Sequence, residues 1–111
     1  MEKNCIFCKI IAKEIPSTII EENDEIIVIK DINPKAPIHY LIIPKLHFAD
    51  LKSFNEAEIN LAGKILLMSK YLSKKLNNTD FRLVANNGKE SGQCVFHFHM
   101  HFLAGKQMSD F

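Results

Sequence analysis

The sequence predicts a small α+β domain in which an about five-stranded, mostly antiparallel sheet packs with one long and one short helix. Three observations lead there. Apolar residues recur at helical spacing in two separate stretches. Elsewhere, β-branched and aromatic residues gather in short runs of strand length, and prolines, asparagines and glycines punctuate the joins. The chain has 111 residues, enough for one domain, and no repeat or Gly/Ser linker divides it, so residues 1–111 are read as a single domain.

After Cys5, the apolar residues Ile6, Phe7, Ile10 and Ile11 keep helical spacing until Pro16 forbids continuation, which predicts a short helix. Thr18 to Ile20 and Ile26 to Ile29 are β-branched runs flanking the polar cluster Glu21-Glu22-Asn23-Asp24-Glu25, the pattern of a hairpin. The two prolines between Asp31 and Pro37 make a loop, and His39 to Ile43 form the next strand, stopped by Pro44. Ser53-Phe54-Asn55-Glu56 has capping-box spacing, and Leu61, Ile65, Met68, Leu72 and Leu76 then draw one apolar stripe, predicting a long helix that ends near Asn77-Asn78. Phe81 to Ala85 read as a strand, Asn86 to Gln93 as a polar loop with two glycines, and Val95 to Leu103 as the last strand.

Composition narrows the function classes. Apolar residues make up 47% of the chain and charged residues 24%, which excludes disorder as the overall description. The 14 basic and 13 acidic side chains are interspersed and leave a formal charge of +1, so there is no electrostatic footprint for nucleic acid or an anionic membrane. The start, Met1-Glu2-Lys3-Asn4-Cys5, lacks the apolar run of a signal peptide, and no stretch approaches the ~20 apolar residues of a membrane span. A cytoplasmic location is expected. In that reducing compartment the pair Cys5-Ile6-Phe7-Cys8 reads as half a metal site or a redox pair, and Cys94 stands apart.

The chemistry concentrates in His97-Phe98-His99-Met100-His101. Strand alternation puts His97, His99 and His101 on one face and Phe96, Phe98, Met100 and Phe102 on the other, where they would meet the long helix. A single histidine is usually a surface or hydrogen-bonded core residue. Three in strict alternation leave a reaction site, a metal site and a structural role all open. A neutral imidazole is a competent nucleophile toward phosphorus, and neighbouring imidazoles orient it and move protons near neutral pH. The preceding loop suits a phosphate: Gly88 and Gly92 allow close backbone approach, and Asn86 and Gln93 offer side-chain donors.

With these residues in view, the chain resembles the histidine triad family, whose signature is alternating histidines and hydrophobic residues near the carboxyl terminus. Here it reads Gln93-Cys94-Val95-Phe96-His97-Phe98-His99-Met100-His101-Phe102-Leu103. The resemblance runs from Cys5-Ile6-Phe7-Cys8-Lys9-Ile10-Ile11 through the segment Lys30 to His39 to the ending Ala104-Gly105-Lys106-Gln107-Met108, which is similar to the Hint branch of nucleotide-binding phosphoramidases. It implies a histidine-triad-like fold and a homodimer with a continuous sheet. It implies binding of purine nucleoside monophosphates and hydrolysis of adenosine or guanosine 5′-phosphoramidates through a nucleotidyl-histidine intermediate. By that match His99 is the nucleophile, with His39, His97 and His101 around it, and Asp31 accepts the ribose hydroxyls. Asn86, Gly92 and Cys94 correspond to phosphate contacts, and Ile6, Phe7, Ile10, Ile15, Ile29 and Ile32 to the apolar purine pocket. Cys94 occupies a position that is commonly serine in the family, and a thiol donates more weakly than a hydroxyl.

The resemblance also implies a structural Zn2+ held by Cys5, Cys8, His47 of Pro44-Lys45-Leu46-His47, and His97. Two thiolates and two imidazoles close a tetrahedral site with no position left for water, and losing the metal would unpin the first helix and lower stability. No organic cofactor is implied. Three rival activities stay open at this point: cleavage of dinucleoside polyphosphates, a non-catalytic nucleotide-binding or regulatory module, and a zinc-dependent hydrolase that uses the triad as ligands.

Overall fold

A computed structural model describes residues 4–110 of the chain. The element order is α1 (Ile6–Ile11), β1 (Ile19–Glu22), β2 (Ile26–Lys30), β3 (Ile38–Pro44), α2 (Ile59–Lys75), β4 (Phe81–Val84) and β5 (Met100–Ala104). The five strands form one sheet in the order β1-β2-β3-β5-β4, with every neighbouring pair antiparallel. This is the α+β architecture expected from the sequence. The reading of Met1-Glu2-Lys3 lies outside the described residues. No described helix is long and apolar enough to cross a membrane.

Strand β2 explains why the molecule has three layers. Ile26, Ile27, Val28 and Ile29 are all buried, as a continuous apolar run must be when both faces of its strand are covered. Ile26 and Val28 join the core under α2, with Leu61, Ile65, Leu72, Phe98 and Phe102. Ile27 and Ile29 join a second core under α1, with Phe7, Cys8, Ile10, Leu41 and Ile43. The β1–β2 hairpin closes on Asn23, whose side-chain oxygen accepts from the backbone N–H groups of Glu25 and Ile26, each at 2.9 Å. Strand β1 runs on through Glu21 and Glu22, past the expected stop at Ile20. Both carboxylates are tied to lysines across the surface, Glu22 to Lys13 at 2.6 Å and Lys45 at 2.8 Å, and Glu21 to Lys75.

Two expectations need correction. Ser53 and Glu56 do not cap α2. Ser53 instead completes a capping box with Asp50, three residues earlier, around the 3-10 turn Leu51–Ser53, and Asn55 caps a second turn, Glu56–Glu58, that leads into α2. The helix ends where expected, with Asn77 and Asn78 both in the left-handed region at φ 61° and 58°.

The last strand is shorter than Val95 to Leu103. Pairing with β3 runs from Ile38↔Ala104 to Ile42↔Met100 and stops there. Residues 95–99 peel away toward the end of β3 and the segment after it, where His97 Nε2 donates to the Pro44 carbonyl at 2.7 Å and Phe98 N–H to the Phe48 carbonyl at 2.7 Å. The apolar face of the alternation survives as Phe98 and Phe102, both buried, but Phe96 is exposed.

Leu72 is 1% exposed at the centre of the α2 face, whereas Leu51, on the turn that precedes the helix, is 48% exposed. Leu72→Ala is expected to cost about 2–5 kcal/mol and Leu51→Ala less than about 0.5 kcal/mol. Urea unfolding of both variants checks the assignment; equal losses would misplace the core.

Candidate functional site

A cavity of about 710 Å³ opens beside α1, within the size range of small-molecule sites. Helix α1 supplies Ile6, Phe7 and Ile10, and β2 and the loop after it supply Ile29, Asp31 and Ile32. Strand β3 supplies His39, the glycine loop Asn86, Gly92 and Cys94, and the last segment His99 and His101; Ile15 completes the set. The structure thus brings together every residue assigned to the nucleotide, three of the four assigned histidines included. Ile32 stands on the rim, 97% exposed.

His97 is the exception. Its ring is fully buried and is absent from the cavity wall. Because residues 95–99 leave the sheet, His97 does not share a face with His99 and His101, and it is its carbonyl that reaches the His99 ring. That carbonyl accepts from His99 Nδ1 at 2.9 Å. A carbonyl offers no proton, so Nδ1 carries the hydrogen and Nε2 of neutral His99 keeps its lone pair.

Neighbouring groups fix the other rings in the same way. Lys35 N–H donates to His39 Nδ1 at 3.0 Å, which places the proton of neutral His39 on Nε2. His39 Nε2–H faces His101 Nδ1 at 2.9 Å and Asp31 Oδ2 at 3.4 Å. His101 therefore accepts at Nδ1 and carries its hydrogen on Nε2. Asp31, His39 and His101 stand close enough together to hold a metal, but the Lys35 amide keeps the His39 proton on the nitrogen that would have to ligate, so the cluster is a donor chain.

Burial sets the charge of this group. It holds His39 and His99 below the ordinary histidine value, against the opposing pull of Asp31 on both and of the His97 carbonyl on His99. His101 is pushed from 6.5 to about 4 by burial and then by His99 and His39, with Asp31 opposing. All three are neutral at pH 7.

Gln93 departs from its expected role. It is buried, its Oε1 accepts from Gly88 N–H at 2.8 Å, and its Nε2 donates to the Ala49 carbonyl at 2.6 Å and the Val95 carbonyl at 3.0 Å. With its amide fully used, Gln93 braces the loop and is no free phosphate donor. Gly92 sits at φ 99°, where a side chain would be strained. Sequence reasoning missed Lys30 and Lys35 on the cavity wall; nothing in Lys30-Asp31 or Pro34-Lys35-Ala36 signals which way those side chains turn.

On the far side of His97 lies a second cluster. Its ring Nδ1 is 3.3 Å from Cys5 Sγ, 3.6 Å from Cys8 Sγ and 3.0 Å from His47 Nδ1, and Cys8 Sγ is 3.4 Å from His47 Nδ1. Metal–ligand lengths of about 2.0–2.3 Å at tetrahedral angles place neighbouring donors about 3.3–3.8 Å apart, so this set is nearly at that spacing. The Pro44 bond holds the His97 proton on Nε2 and turns the Nδ1 lone pair to the sulfurs, the outer support that ligating histidines ordinarily have. Burial pushes His97 down to about 4, which keeps the ring neutral and able to ligate.

Comparison with known proteins fits this geometry. A family model described as scavenger mRNA decapping enzyme C-term binding matches residues 4–111. A structure titled HIT family hydrolase, from Clostridium thermocellum, superposes with a TM-score of 0.94 at 43% identity, covering 100% of this chain and 98% of the other. The adenylylsulfatase HINT1 of Arabidopsis thaliana is 39% identical over 107 residues, 94% of this chain and 73% of that protein. The chain belongs to the histidine triad family, on its Hint-like branch. A 14 kDa zinc-binding protein of Brassica juncea is also 39% identical over 107 residues, 94% of this chain and 95% of that one. Of the histidines in the histidine triad signature, His99 and His101 face the cavity and His97 faces the cysteines.

His101 binds a proton more weakly in the folded chain, near 4, than in the unfolded chain, near 6.5. Its contribution to stability is therefore fully present above pH 6.5, is lost as the pH falls from 6.5 toward 4, and declines no further below that. The urea midpoint should drop across this window, and His101→Asn should flatten the drop. Parallel curves for parent and variant would remove His101 as its source.

Proposed function

We propose that this protein hydrolyses the P–N bond of purine nucleoside 5′-phosphoramidates, with adenosine or guanosine as the nucleoside. The observation that carries this reading is the bond from His99 Nδ1–H to the His97 carbonyl, which leaves the Nε2 lone pair of a half-buried, neutral imidazole on the wall of a nucleotide-sized cavity. The names of the Arabidopsis adenylylsulfatase and the Clostridium hydrolase support hydrolysis at an adenylyl group.

His99 Nε2 attacks the α-phosphorus, the N–P bond to His99 forms, and the amine departs with its electron pair and a proton. Water then attacks phosphorus, the bond to Nε2 breaks, and the nucleoside monophosphate leaves; the proton released by water balances the one the amine carried away. His101, with its hydrogen on Nε2, donates to a phosphoryl oxygen or to the leaving group. Asn86 and the backbone at Gly92 and Cys94 line the cavity where further charge on the phosphoryl oxygens would be met. Asp31 accepts from the ribose hydroxyls, and Ile6, Phe7, Ile10, Ile15, Ile29 and Ile32 enclose the purine.

We assign Zn2+ to Cys5, Cys8, His47 and His97. The donor spacing and the zinc-binding relative of Brassica support it. The metal would contribute folding energy by closing four donors around one centre. Reduced Cys5 and Cys8 suit a cytoplasmic setting. A second copy of the chain is the partner that the exposed apolar side chains Ile59, Leu66, Leu67 and Tyr71 of α2 and Phe81 of the edge strand β4 would suit.

Release of amine and AMP from adenosine 5′-phosphoramidate tests the reaction. The parent should turn over, and His99→Ala should lose on the order of 10⁴-fold in kcat while AMP binding persists. A folded, AMP-binding parent with no turnover would instead make this a nucleotide-binding module. Elemental analysis should find about one zinc per chain, and Cys8→Ser should lose both that zinc and several degrees of thermal stability; a zinc-free parent of undiminished stability would defeat the metal assignment.

A further inference from the structure

Helix α1 carries two kinds of residue whose purposes look unrelated. Cys5 and Cys8 face the four-donor cluster, and Phe7, between them, lines the cavity. The helix has six residues, too few to persist without tertiary anchors. Its N-cap is Cys5 itself, whose sulfur accepts from Cys8 N–H at 3.3 Å. Whatever fixes the two sulfurs therefore fixes the first turn, and with it Phe7.

Phe7 is 6% exposed and meets two histidine rings edge-on. The His97 ring is 5.9 Å away at 78° and the His99 ring 5.0 Å away at 80°. His101 flanks His99 at 5.1 Å and 65°. Among the described residues, the His99 imidazole has one hydrogen bond, from Nδ1 to the His97 carbonyl. A half-turn of that ring about its bond to the chain would carry both nitrogens away from their present positions. An aromatic edge contact is worth about a two- to tenfold bias between such orientations.

We propose that Phe7 is a positioning residue for His99, held in register by the occupied Cys5/Cys8/His47/His97 cluster, so that metal ligands and nucleophile share one braced segment. Two routes connect them. One runs through the His97 backbone, whose ring is a ligand and whose carbonyl holds His99. The other runs through α1, whose cysteines are ligands and whose Phe7 packs on the same imidazole. The consequence for catalysis rests on the reading of His99 as the nucleophile; the effect on the His99 ring does not.

The test uses zinc-loaded full-length protein labelled with ¹⁵N at histidine, whose spectra report which ring nitrogen of His99 carries the proton. The parent should show His99 protonated at Nδ1 alone. Zinc-loaded Phe7→Leu, which keeps every ligand and an apolar side chain, should show a mixture of tautomers. Removing zinc from the parent should do the same, and removing it from Phe7→Leu should add less than it does in the parent, since the route through Phe7 is already gone and only the His97 backbone remains. In turnover, kcat should fall by about the same two- to tenfold with either change. Coincident His99 signals in the zinc-loaded parent and Phe7→Leu would overturn the proposal, as would an equal effect of zinc removal in both proteins or none in the folded parent. If the zinc-free chain does not fold, the zinc-loaded Phe7→Leu spectrum decides alone. Absence of phosphoramidate turnover would defeat the proposed reaction and leave the spectral result standing.

Discussion

The hydrogen bond from His97 Nε2 to the Pro44 carbonyl, 2.7 Å long and fully buried, is the constraint on which the rest of the structure turns. A buried imidazole must satisfy its N–H, and a buried carbonyl at the end of a strand must find a donor; each would be costly alone. Meeting that demand pulls residues 95–99 off the sheet edge. The same bond aims the Nδ1 lone pair at Cys5 and Cys8, and the departure from the sheet frees the His97 carbonyl to orient His99. One satisfied polar pair thus shapes both the Cys5/Cys8/His47/His97 cluster and the setting of His99.

The fold was legible in the sequence wherever periodicity was unambiguous. The stripe from Leu61 to Leu76, the stop at Asn77-Asn78 and the continuous apolar run of β2 all report how many faces an element must bury, and burial is what the sheet and helices obey. What escaped was specific to competing local partners. Ser53 has a good capping neighbour on either side, and spacing alone cannot say that Asp50 wins over Glu56. Strict alternation through Val95 to Leu103 suggested one strand, yet the ladder ended at Met100 because the backbone carbonyls of Pro44 and Phe48, beyond Ile42, attracted the chain elsewhere. Gln93 looked like a ligand donor because nothing in its neighbours reveals the Ala49 carbonyl, 44 residues distant. The assignment of site residues came from resemblance more than from pattern; a row of isoleucines reads as core in any protein, and only the fold turns Ile6 and Ile15 toward a cavity.

Electrostatically the site is quieter than its histidine content suggests. Burial lowers proton affinity at each ring, so the imidazoles work as neutral donors and acceptors whose polarity is written by backbone groups: the Lys35 amide for His39, and through it His101, and the His97 carbonyl for His99. Fixed main-chain dipoles need no reorganisation, so the polarity of these three rings is set before any ligand arrives.

Strand β2 gives the molecule a division of labour at the scale of single residues. Ile26 and Val28 belong to the core under α2, while Ile27 and Ile29 belong to the core under α1, and Ile29 reaches the cavity. Adjacent positions therefore answer to different packing demands, and a substitution that reshapes the cavity on one side of the strand leaves the core under α2 on the other in place. The cost is intolerance of insertion: a single added residue would exchange the two faces and send the cavity wall into the scaffold.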